Sequence, residues 1–154
     1  MKLNHLLIPA AVALVAVLGS AFTRGGMSWY RTLKLPSWTP QGSTIGLVWT
    51  TIFVLAAASL LLVFNGGHAE RVLRPIVRVA ALNAALNVLW SLLFFGFHRI
   101  GAATVEATLL GATVVWLMVL VWPLSRLASL LLAPYAAWVA FATYLAYSVW
   151  RLNG

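Results

Sequence analysis

The sequence predicts an all-α integral membrane protein, a bundle of five transmembrane helices in a single domain (1–154), with a long structured loop between the first and second helices. Two observations lead there. Of the 154 residues, 63% are hydrophobic and 8% charged, whereas a soluble domain carries roughly a quarter charged residues. So few charges cannot cover a water-exposed surface of this size. The apolar residues also gather into runs of the length, about 20 residues, that carries a helix across about 30 Å of hydrocarbon.

The first run, 6–23, follows Lys2 and stops at Arg24-Gly25-Gly26. A basic start, an apolar stretch and the small residues Gly19, Ser20 and Ala21 also fit a secretory signal peptide. The length of the stretch and the organised loop after it favour a retained helix. That loop, 24–43, holds Trp29, Tyr30, Pro36, Trp38 and Pro40. Prolines restrict its backbone and aromatics give it something to pack, so it reads as a lid over a cavity or as an interfacial anchor. The second run, 44–64, and the third, 76–97, are separated by a moderate loop at 65–75. Short polar breaks at His98-Arg99 and Ser125-Arg126 divide the third run from the fourth, 102–124, and the fourth from the fifth, 127–150. Connections that short make these three helices antiparallel neighbours. An odd number of spans puts the termini on opposite sides.

The net charge is +8, from ten Lys and Arg against two Glu. In a soluble chain this would suggest nucleic acid, but here the cations stand singly or in short groups beside the apolar runs, as flanks of membrane spans do. No nucleic-acid partner is expected. The cations do not fix orientation: Lys2, Arg71, Arg74, Arg78 and Arg126 fall on one side, and Arg24, Arg31, Lys34, Arg99 and Arg151 on the other. With no cysteine, disulfides and thiolate chemistry are excluded. His5, His68 and His98 lie far apart near span ends, without the spacing of a metal site; neither metal nor cofactor is expected.

Polar groups in a bilayer mark helix contacts or a functional cavity. Asn83, Asn87, Trp90 and Phe94 recur at intervals of four, three and four on the third helix, placing two amides and two aromatics on one stripe. Either the amides tie helices together or the stripe lines a pocket. Eight tryptophans exceed what two interfacial belts use. Trp29, Trp38 and Trp150 suit a belt, whereas Trp49, Trp90, Trp116 and Trp138 fall well inside spans. Turned inward, such indoles give a pocket flat, polarizable walls with one N–H donor each, suited to a planar aromatic ligand. Glu106 is the sole carboxylate inside a span; it must be near the interface, neutral, or paired, with Arg99 and Arg151 the candidate partners. One such carboxylate and no Asp leave no paired-acid or Ser-His-Asp machinery. Small residues four apart, Ala80–Ala84 and Ala103–Ala107–Gly111, permit close helix approach within or between chains.

Together, several segments resemble the translocator protein family, also called tryptophan-rich sensory proteins. Trp29-Tyr30, Leu35-Pro36-Ser37-Trp38-Thr39-Pro40 and Trp49 are similar to its first loop and second helix. Asn83-Ala84-Ala85-Leu86-Asn87-Val88-Leu89-Trp90 with Phe94-Phe95-Gly96 resembles its third helix, and Pro134-Tyr135-Ala136-Ala137-Trp138 with 145–151 its fifth. Gln41 stands where a second proline is usual, Leu35 where a lysine is, Asn83 where a glutamine is, Phe53 where a tyrosine is, and Ala102 where animal members have a tryptophan.

The resemblance implies a five-helix bundle, often a homodimer, in the bacterial cell membrane, or in the mitochondrial outer membrane for eukaryotic relatives. Its implied ligands are protoporphyrin IX and other tetrapyrroles such as haem, sterols in some members, and isoquinoline or benzodiazepine drugs. Ala21, Trp38, Ile45, Trp49, Asn83, Asn87, Trp90, Glu106, Trp138 and Leu145 are the expected ligand-binding residues. Leu145, Tyr147 and Arg151 satisfy a sterol-recognition pattern that is weak by itself. The leading expectation is a receptor with a regulatory or stress-sensing role. A light- or oxidant-dependent porphyrin-degrading enzyme, with Trp49 and Trp138 as its catalytic pair, is the alternative, and porphyrin or sterol transport a third.

Overall fold

In a computed structural model the chain is described from Asn4 to Gly154; Lys2, counted above among the flanking cations, lies outside the described residues. Five helical segments are long and apolar enough to cross a membrane, as the apolar runs predict. They comprise α1 (Asn4–Tyr30), α2 (Gly42–Asn65), α3 (Glu70–Ser91) continued by a π-helical turn (Leu92–Gly96), α4 (Ile100–Val121), and the pair α5 (Arg126–Leu131) and α6 (Ala133–Asn153).

Three boundaries differ from the sequence reading, each for a local reason. Helix α1 runs through Gly25-Gly26 to Tyr30 instead of ending at residue 23. Gly26, the buried residue of α1, is a contact point: a Cβ there would collide with the carbonyl oxygen of Phe95. The missing side chain thus lets α1 touch the π-helical turn, and Trp29 and Tyr30 move from the loop onto the last helical turn. Helix α3 begins at Glu70, six residues before the expected start, with Pro75 inside it. Pro75 forgoes one early bond, to the carbonyl of exposed Arg71, while Glu70 suits the helix N-terminus and pairs with Arg74 at 3.1 Å. The last span is split at Leu132, because Pro134 cannot donate into the helix before it yet suits the first turn of the one after.

Helix α4 lies at the centre of one side, packed on α3 and on α6, and α1 closes the bundle against α2, α3 and the π-helical turn. The termini fall at opposite ends: Asn65 shares a 2.9 Å hydrogen bond with His5, while Asn153 meets Lys34 in the loop at the far end. Away from that loop the bundle is solid. Val63, Ile76, Val79, Leu117, Val121, Ala128 and Leu132 form one buried aliphatic cluster. Hydroxyls bind it together: Ser59 donates to the Ala128 carbonyl (2.7 Å) and Ser129 to that of Met118 (2.9 Å). Such bonds act as interhelical glue where water is absent.

Candidate functional site: a tryptophan-walled cavity beneath the loop

The loop-side half of the bundle encloses a cavity of about 810 Å³, lined by all five spans and by the loop. This lies within the roughly 300–1,000 Å³ of small-molecule and cofactor sites. Its floor is set by a polar chain linking three helices. The Asn87 amide donates to the Tyr135 hydroxyl (3.1 Å), which donates to Asn83 Oδ1 (3.0 Å). The Asn83 amide donates to Thr113 (2.9 Å), and Thr113 to the Leu110 carbonyl (2.7 Å). Both readings of the third-helix stripe therefore hold, one for each asparagine. Asn83 is buried as a tie between α3, α4 and α6, while Asn87 belongs to the tie and also reaches the cavity wall.

Above the floor stand Trp49, Trp90 and Trp138, from α2, α3 and α6. Trp90 stacks on Phe94 (centroids 5.1 Å apart, planes at 20°) and meets Phe95 edge-on at 6.0 Å. Trp49 contacts Phe53 at 5.6 Å and the edge of Tyr135 at 6.0 Å, and Trp138 leans on Phe141 at 5.2 Å. The Nε1 atoms of Trp90 and Trp138 are buried without an acceptor. A donor in that state costs about 1–3 kcal/mol; with almost no accessible surface, these two N–H groups lie behind the wall rather than opening onto the cavity that their residues line. Apart from Arg31, the lining is neutral and mostly apolar.

The loop 31–41 forms the roof. Pro36, Thr39 and Pro40 face the cavity, and three contacts hold the loop and its flank down. Asn153 accepts from the Lys34 N–H and donates to the Lys34 carbonyl, both at 2.9 Å. Trp38 stacks on Tyr144 at 5.4 Å and meets Phe141 edge-on at 5.9 Å. Trp29 stacks on His98 at 4.1 Å; His98 has a φ of 55° at the turn into α4, a conformation that His tolerates better than most residues.

Of the expected ligand-binding residues, Ile45, Trp49, Asn87, Trp90, Trp138 and Leu145 meet around the cavity. Ala21, Trp38, Asn83 and Glu106 do not line it. Ala21 is exposed on the outside of α1, with its neighbour Ser20 on the wall. Trp38 lies outside the roof, braced on α6. Glu106 is 4% exposed and neither of its oxygens has a partner. Of the three alternatives for Glu106, pairing with Arg99 or Arg151 is not the one found: the ion pair among the described residues is Glu70–Arg74. Glu106 sits two turns before Thr113 on the same face of α4, whereas Arg99 and Arg151 are exposed at helix ends. Trp116 turns outward, 53% exposed, so three of the four mid-span tryptophans face inward. The sterol-pattern residues divide: Leu145 is on the cavity wall, Tyr147 and Arg151 on the outer face of α6.

Tyr135, Phe141 and Arg31 are site residues that sequence reasoning did not single out. Tyr135 had a usable signal, since it lies three residues before Trp138 and so shares its helix face.

The relatives agree with this architecture. The TspO/MBR family profile matches residues 7–151. Protein CrtK of Rhodobacter capsulatus is 35% identical over 93% of this chain and 88% of its own. The tryptophan-rich protein TspO of Chlorobaculum tepidum is 37% identical over 90% and 89%, and the human translocator protein 37% identical over 93% and 86%. With five apolar spans and a family match over nearly its whole length, the chain belongs to the TspO/MBR family of multi-pass integral membrane proteins.

Proposed function

We propose that this protein is a membrane receptor that binds a tetrapyrrole, such as protoporphyrin IX or haem, in the tryptophan-walled cavity, with a regulatory or stress-sensing role. The observation that carries the reading is the wide, largely apolar cavity of about 810 Å³ with Trp49, Trp90 and Trp138 on its wall. A macrocycle presents flat π faces to Trp49, Trp90 and Trp138, and the acceptors at its edge are its carboxylates. Asn87, the polar side chain of the floor that reaches the cavity wall, supplies a directed contact that helps to fix its orientation. Closure of the site rests on the roof held by Asn153 and Trp38.

A steric block tests this. Gly46 is on the cavity wall, and a Cβ there meets nothing within 4 Å, so Gly46→Trp fills the space without disturbing helix packing. Titration of protoporphyrin IX, followed by its Soret band in lipid nanodiscs, should saturate at one per chain. Gly46→Trp should weaken binding by roughly tenfold or more. Equal affinity in the two proteins would overturn the reading.

Trp49 and Trp138 both lie on the wall, which supports a second reading, that the bound porphyrin is degraded under light with dioxygen as oxidant and these indoles as electron relays. Under illumination, Trp138→Phe would then bind porphyrin normally and form no product. Identical products from free pigment would exclude it.

A further inference from the structure

Among the residues that line the cavity, Arg31, itself exposed where α1 meets the roof, is the one with a formal charge. Among the described residues no side-chain carboxylate pairs with it. Of the two side-chain carboxylates, Glu70 is paired with Arg74 at the opposite end, and Glu106 is buried in α4 away from the cavity lining. The loop-side end also gathers Arg24, Lys34, Arg99 and Arg151, all exposed. Arg24 turns its Nε to the Ser20 carbonyl at 3.3 Å, and of these five cations Arg31 is the one on the cavity wall. A ring of like charge beside a low-dielectric opening focuses its field into that opening.

Building on the tetrapyrrole reading, we propose that Arg31 is a specificity-determining residue that selects ligands whose flat apolar body ends in a carboxylate. The planar guanidinium matches a carboxylate with two parallel hydrogen bonds. Deeper in the cavity only neutral donors are available, so a carboxylate is accommodated best at the mouth. The cavity thus sorts a ligand by polarity along its length, with the acid under the roof beside Arg31 and the uncharged edge inward among the indoles. A ligand without the acid keeps its aromatic contacts and loses this anchor.

The test compares protoporphyrin IX with its dimethyl ester on wild type, Arg31→Gln and Arg31→Lys. Zwitterionic lipid nanodiscs are used so that no anionic headgroup competes for the guanidinium. The free acid and the ester partition differently into lipid, but that difference is common to all three proteins and cancels between them. Arg31→Gln should shrink the acid-over-ester preference by roughly tenfold while leaving ester affinity unchanged. Arg31→Lys should keep part of the preference, and added salt should erode it in wild type. An undiminished preference in Arg31→Gln would overturn the proposal for Arg31 and leave the receptor reading standing. Failure of wild type to bind either porphyrin would overturn the receptor reading itself.

Discussion

Away from the roof, Val63, Ile76, Val79, Leu117 and Val121 pack into one buried aliphatic cluster; beneath the roof, Trp49, Trp90 and Trp138 stand around a cavity of about 810 Å³. The second, third, fourth and last spans contribute to both halves, so the difference lies in side-chain shape and in how polar groups are satisfied. Branched aliphatics fill the space between helices at close approach, whereas large flat rings braced on one another hold helices apart. In the solid half the Ser59 and Ser129 hydroxyls find carbonyl acceptors. In the open half the Trp90 and Trp138 indoles have none. One half stabilises the bundle, and the other keeps unused surface for a guest.

Substitutions can break or sharpen this contrast. The largest effect is expected from Leu117→Ala, which opens a void in the filled half and should lower unfolding free energy by about 2–5 kcal/mol, measured by thermal or denaturant unfolding in detergent. The matched change Leu145→Ala on the cavity wall should cost less than about 1 kcal/mol, because that side chain already lacks neighbours on one side. Comparable losses at both positions would erase the distinction. Gly26→Ala should come next, destabilising by about 1–3 kcal/mol through overpacking, since the added Cβ collides with the backbone of Phe95 and loosens the base of the roof. Trp90→Phe should leave stability unchanged or raise it by about 1 kcal/mol, because it removes a buried donor that has no acceptor, yet it should weaken porphyrin binding. A clear loss of stability would mean that the indole N–H is satisfied after all. Ser59→Ala should cost least, about 0.6 kcal/mol, the typical value of one interhelical bond in a membrane.

Much of this was legible in the sequence because the bilayer imposes a length rule: apolar runs gave the five spans, and tight breaks gave the antiparallel order of the last three. The ends of helices were less legible. Gly25-Gly26 reads as a terminator until Phe95 is seen packed against it, and Pro75 reads as a boundary until its place near the start of α3 is known. Residue type and depth placed Trp49, Trp90, Trp116 and Trp138 inside spans, with a cavity wall and a lipid-facing position both open to each. They carry no information about helix face, so that three turn inward and Trp116 outward was settled only by packing. Asn83 and Asn87 announced themselves as costly polar groups, but their shared partner Tyr135 lies on another helix and is reached only through packing. Arg31 was hidden most completely. It reads as an ordinary flanking cation, and its place on the cavity wall depends on α1 running unbroken to Tyr30.

The central claim is that a flat guest occupies the roof-side half and leaves the filled half untouched. Hydrogen exchange followed by mass spectrometry, with and without saturating protoporphyrin IX, tests it directly. The account predicts slower exchange in the roof, residues 31–41, and in the first turns of α2, with no change in α5. Protection centred on α5, or spread evenly over both halves, would contradict it.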